Sequence, residues 1–314
     1  MVNISTHFGL TARQSDLDFI DVKLEDDNEL FIAPRLLEIS GSDLIRPMAD
    51  TLYGFFARLL LLIKGENIQG AKDLLSGIQE PKETGLGYGK FNPTGGRSSG
   101  KKMRGELIDS ILHNPLLGNR ESNLNNLGDL IFFIPNFSRD RLSDMITKII
   151  EVHLIEFTHN QCEKHGIDYR ASKQKKKIFN PETLDWETRE VELPVFNDGI
   201  ETRPIIFVPK TIVWNKKQSQ RTIRCFYKFA RDFIIGQGQS IFLEGIPRNG
   251  RNNSILIKDF NKLHPHRKKA LTDWVSEYQN IPNDFWLQPD RLVTSMTDAE
   301  IGEVVYWDRQ RQID

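Results

Sequence analysis

Three carboxylates and one amine carry the most chemical promise in this sequence. Asp144 closes the polar cluster RDRLSD at residues 139–144, Glu80 and Glu83 follow an earlier helical pattern, and Lys210 ends the apolar run RPIIFVPK at residues 203–210. Carboxylates of this kind can hold magnesium beside a scissile phosphate, and a lysine can steady charge or help to activate water. Asp144, Lys210 and Glu83 are therefore expected as catalytic residues. Asp144 and Glu80 are the expected ligands of Mg2+, for a metal-dependent nuclease. A plainer reading stands beside this one. A polar cluster at a helix start complements the macrodipole, and Ser143 or Asp140 could supply the N-cap.

Two further features could bind phosphate. The segment GGRSSGKK offers Gly95, Gly96, Arg97, Gly100 and Lys101 at nearly the spacing of a P-loop. Lys102 stands where that motif needs a hydroxyl for magnesium, and no apolar strand precedes it. What remains is a glycine-rich cradle of backbone N–H groups and cations. The second feature is a helical stripe. Arg221, Arg224, Lys228 and Arg231 are spaced to share one face, with Phe226, Ala230, Phe233 and Ile234 broadly opposite. With Lys175 and Lys176 upstream, it forms an expected nucleic-acid contact. His159, Cys162 and His165 could share a helix side, but three residues without a further cluster make a poor zinc set.

The elements that must position these residues read as α+β, with a central mixed sheet, flanking helices and an N-terminal helical hairpin. A helix reaching Lys64 and a second over ENIQGAKDLLSGIQE make the hairpin, and a long helix is expected to stop at Gly166. DLIFFIP reads as a strand. VELPVF and the run containing RPIIFVPK read as a hairpin about Asp198-Gly199. The polar, basic stretch after Gly166 suggests a boundary, giving an acidic part over 1–169 with the glycine loop and a basic part over 170–314, with one continuous domain as the alternative. By count, residues 1–166 hold 18 Lys+Arg against 23 Asp+Glu, and residues 167–314 hold 24 against 20.

The bulk composition excludes several classes. With 39% hydrophobic and 27% charged residues, the chain is neither disordered nor a membrane bundle. A net charge of −1 makes the whole molecule a weak electrostatic magnet, so any nucleic-acid contact must be local. Two cysteines fit a reducing cytoplasm, no secretory signal opens the chain, and charged residues interrupt its most apolar segment.

The acidic helix, the aspartate beside a strand and the strand ending in lysine resemble the PD-(D/E)xK nucleases of restriction and phage-defence systems. The stretch from Arg139 to Ile167 also resembles uncharacterised bacterial proteins of mobile and defence loci. That resemblance implies cleavage of nucleic acid with Mg2+, or a non-catalytic binding or adaptor subunit of a defence complex with a protein partner. The chain departs from the nuclease pattern at Val208, where an acid would precede the lysine.

Overall fold

Helix α3 (Arg46–Lys64) forms where apolar residues recur every three or four positions, and it buries Leu52, Phe55, Phe56, Leu59 and Ile63. It turns at Gly65 into α4 (Ile68–Ser76), whose Asn67 side chain caps the N–H of Gly70 at 2.9 Å. These two make the expected helical hairpin. They belong to a computed structural model that describes residues 2–26, 28–79, 81–87, 105, 107–109, 138–170, 172–197, 202–250, 253–288 and 293–306. Glu80, the glycine loop with Gly95, Gly96, Arg97, Gly100 and Lys101, and the DLIFFIP segment lie outside the described residues.

The architecture is α+β. Short helices α1 (Ile4–His7) and α2 (Pro34–Ile39) flank strand β1 (Leu30–Ile32), and Pro34 opens α2, where its fixed φ suits the first helical position. Helices α5 (Arg139–Ile149) and α6 (Glu151–His165) follow. Next come β2 (Ser172–Asn180), β3 (Asp185–Leu193), β4 (Val195–Asn197), β5 (Thr202–Pro204) and β6 (Val213–Asn215). The remainder is helix α7 (Lys216–Gly236), strands β7 (Arg248–Asn249) and β8 (Ser254–Ile255), and helices α8 (Ile257–Leu263), α9 (Arg267–Glu277), α10 (Ile281–Trp286) and α11 (Asp298–Val305).

The expected central mixed sheet is absent among the described residues, where the strands form four separate antiparallel pairs: β1 with β6, β2 with β3, β4 with β5, and β7 with β8. The apolar run 205–208 explains the difference. It is buried and extended, but neighbours of different kinds satisfy its backbone one group at a time. Ile205 N–H donates to Pro194 O, Ile206 N–H to Glu83 O and Phe207 N–H to Thr158 Oγ1, while Val208 O accepts from Ile20 N–H. Such a run sits in the middle of the fold without a ladder.

Among the described residues, the longest pairing arises where a domain boundary was expected. Strands β2 and β3 pair over nine residues each, from Ser172↔Leu193 to Asn180↔Asp185. Buried side chains from both sides of residue 170 belong to one cluster, and β1 bonds β6 across most of the chain. Helices α8 and α9 are separate elements because Pro265 between them has no N–H to donate.

The first and last elements also meet. Asp21 is fully buried, and its carboxylate accepts Ser5 N–H at 2.7 Å, Ser5 Oγ at 2.6 Å and Tyr306 OH at 2.9 Å. Asn3 Nδ2 reaches Val305 O at 3.2 Å.

At the end of α4, Trp186 of β3 donates its Nε1–H to Leu74 O at 2.6 Å, and its ring passes so close to Gly77 that a Cβ there would lie 2.1 Å from it. Gly77 has ordinary helical φ, so only the indole ring forbids a side chain. Gly77→Ala is expected to cost about 1–3 kcal/mol in urea unfolding, the range for overpacking a filled site.

Candidate functional site

Ser138, not Ser143 or Asp140, caps α5, its hydroxyl accepting Arg141 N–H at 3.3 Å. Ser143 instead turns inward and accepts Ile32 N–H of β1 at 2.9 Å. Asp144 lies on the half-buried side of α5. Helix α6 then ends as expected at Gly166 with φ +68°, and Ile167 N–H returns to Cys162 O at 2.8 Å.

Where α5 gives way to α6, the interior holds four charged side chains. Lys148 is 5% exposed, Glu151 1% and Lys176 8%. Lys148 donates to Glu151, and Lys176 pairs with both Glu151, at 2.9 Å, and Glu83. Two lysines and two glutamates thus form a neutral buried chain, the arrangement that lets charges leave water. Burial works against the Lys176 ammonium, but Glu151 and Glu83 outweigh it and hold the group above the usual lysine range.

This cluster changes the meaning of two expected site residues. Glu83, expected to be catalytic, is an ion-pair partner of Lys176. Lys176, expected to meet nucleic acid, points into the core because β2 alternates faces: Lys173, Lys175 and Lys177 look outward, and Lys176 and Ile178 inward. Lys175 is exposed but sits in register with Glu190 on β3, as Lys173 does with Glu192. Lys210 follows the same logic. It lies in a 3-10 turn, half-buried, with its Nζ 2.7 Å from Asp298 of α11 and 3.4 Å from Gln14 O. Among the described residues, no three His, Cys, Asp or Glu side chains gather as a metal site. His159 is committed to Glu192 O at 2.7 Å and stacks on Tyr169, while burial pushes the Cys162 thiol up to about 12.

Helix α7 behaves differently. Asn215 and Gln218 close a reciprocal capping box at its start, and its inner face buries Phe226, Tyr227, Ala230 and Ile234. Its outer face exposes Lys217, Arg221, Arg224 and Lys228, four cations at spacings of four, three and four, with no acidic partner among the described residues. Arg231, expected to complete this stripe, is half-buried and bonds Asp232 at 2.7 Å. Lys217 takes its place, and its spacing from Arg221 was the signal for it.

The molecule so described is a mixed α+β protein pinned by a buried ion cluster and bearing one cationic helix face. Residues 9–220 match the family model described as a domain of unknown function, DUF8370, and the chain belongs to that family. The matched segment contains all four members of the ion cluster and ends within the first turns of α7. No curated protein and no solved structure matches the chain. No described helix is long and apolar enough to cross a membrane.

Lys176→Met is expected to lower stability by about 3–5 kcal/mol, since it leaves two buried carboxylates short of a cation, while Lys175→Met shifts it by no more than about 0.5 kcal/mol. Folding also raises the Lys176 pKa, so the native state holds that proton more tightly. Its contribution is complete below about pH 10.4 and lost as pH rises through the folded value. Urea titrations from about pH 9 upward check this: the wild type loses stability more steeply than Lys176→Met.

Proposed function

We propose that this chain binds the phosphate backbone of nucleic acid through the outer face of α7, without hydrolysing it. One observation carries the reading: Lys217, Arg221, Arg224 and Lys228 are exposed in one line and lack acidic partners among the described residues. Eleven helical steps from Lys217 to Lys228 extend the stripe over about 16 Å, enough to track several phosphates. On a chain of net charge −1, such a concentration of unpaired cations makes the attraction local. Binding is favoured over cleavage because Lys210 is held by Asp298 and Glu83 by Lys176, so two of the three residues expected to be catalytic already have partners within the fold.

The double substitution Arg224→Glu with Lys228→Glu tests this on labelled oligonucleotides at several salt concentrations. Affinity is expected to fall at least about tenfold, and the slope of log K against log salt to flatten by about two, one for each phosphate no longer neutralised. Unchanged affinity and slope reject the interface. Turnover of the same oligonucleotides with Mg2+ or Mn2+ would instead restore the nuclease reading.

A further inference from the structure

Helix α6 and the β2–β3 hairpin do not close completely on one another. A groove of about 500 Å3 opens between them beside β3, within the range of roughly 300–1,000 Å3 usual for ligand sites. Val152, Ile155, Glu156 and His159 face it from α6, at the spacing that places them on one side of a helix. Ile155, Ile178 and Val191 are buried along its floor, and Glu156 and Glu190 are exposed at its rim.

One wall of this groove is a strand edge. Among the described residues β3 pairs with β2 alone. His159 Nε2 donates to Glu192 O at 2.7 Å, so that carbonyl points away from β2. Backbone direction alternates along an antiparallel strand, and Glu190 and Thr188 therefore also turn their N–H and C=O outward. No described backbone group outside the hairpin meets them. His159 closes the edge at Glu192 and leaves it open at Glu190 and Thr188.

The charge along this edge is one-sided. Strand β3 carries Asp185, Glu187, Glu190 and Glu192 against Arg189. Arg189 is taken by Glu187, and Glu192 by Lys173 at 3.0 Å. The carboxylates of Glu156 and Glu190 make no ion pair or hydrogen bond among the described residues. These charges repel the β3 of a second copy and favour a cationic strand. An apolar floor below two free carboxylates suits a long aliphatic side chain with a charged tip.

We propose that a basic, extended segment of a partner protein adds to the open edge of β3 and lays a lysine or arginine side chain along the groove toward Glu156 and Glu190. Its main chain pairs with Thr188 and Glu190, and its side chain supplies the specificity. The groove is built from α6, β2 and β3, so this site is separate from the cationic face of α7 and does not depend on it.

Calorimetry and residue-resolved amide exchange on the full chain test the proposal. The probe is a capped peptide of alternating lysine and valine, about seven residues long, a typical strand length. It is expected to bind at least about tenfold more tightly than the same peptide with its backbone nitrogens methylated, and to slow exchange at the Thr188 and Glu190 amides. Glu156→Gln with Glu190→Gln is expected to weaken it about threefold or more, and both positions are exposed, so the fold is kept. Equal affinity for the methylated peptide or for spermidine makes the groove a site for free polycations and overturns the proposal. So does an absence of binding, unchanged exchange at Thr188 and Glu190, or indifference to the paired Gln substitutions. Sedimentation of the chain alone covers the remaining occupant: an oligomer that the peptide disperses assigns the edge to a second copy and likewise overturns the partner segment.

Discussion

A lysine forced inside the fold constrains much of what surrounds it. Lys176 can stay charged in the core only because Glu83 comes from the turn after α4 and Glu151 from the start of α6. Three stretches of chain are thereby fixed at one point. Strand register is set by the apolar neighbour. A slip of one residue in β2 would put Lys175 or Lys177 in the place of Lys176, but it would turn Ile178 to solvent. The nine-residue ladder with β3 is specified by that penalty as much as by its own hydrogen bonds.

What the sequence disclosed follows from how local the cause is. The α3–α4 hairpin, the stop at Gly166 and the long helix carrying Arg221, Arg224 and Lys228 were legible, because apolar spacing, capping residues and i, i+4 geometry all act within a few residues. The hairpin expected about Asp198-Gly199 has its paired strands in β4 and β5. The lysine run SKQKKK did not read as a strand, because alternation cannot be seen when both faces carry the same residue type. Only partners distant in sequence reveal that one of those lysines is internal.

The same distinction separates the site residues. Lys210 looked catalytic because an amine at the end of an apolar run is unusual, yet its explanation, Asp298, arrives 88 residues later. The outward cations of α7 have no such remote answer among the described residues, so their local pattern survives folding. Charge on this molecule is therefore sorted by use. Pairs built from distant segments hold the structure, and a single run along one helix is left to solvent.

The clasp around Asp21 has a mechanical consequence. Ser5 and Tyr306 grip one carboxylate, and Asn3 holds the carbonyl of Val305, so the described chain is nearly a closed ring. Tension applied between its two ends meets this small polar junction before it reaches the hydrophobic interior. Under load, α11 would detach from the N-terminal segment as the first event, releasing Asp298 from Lys210 and leaving the Lys176 cluster to resist in a later, separate rupture.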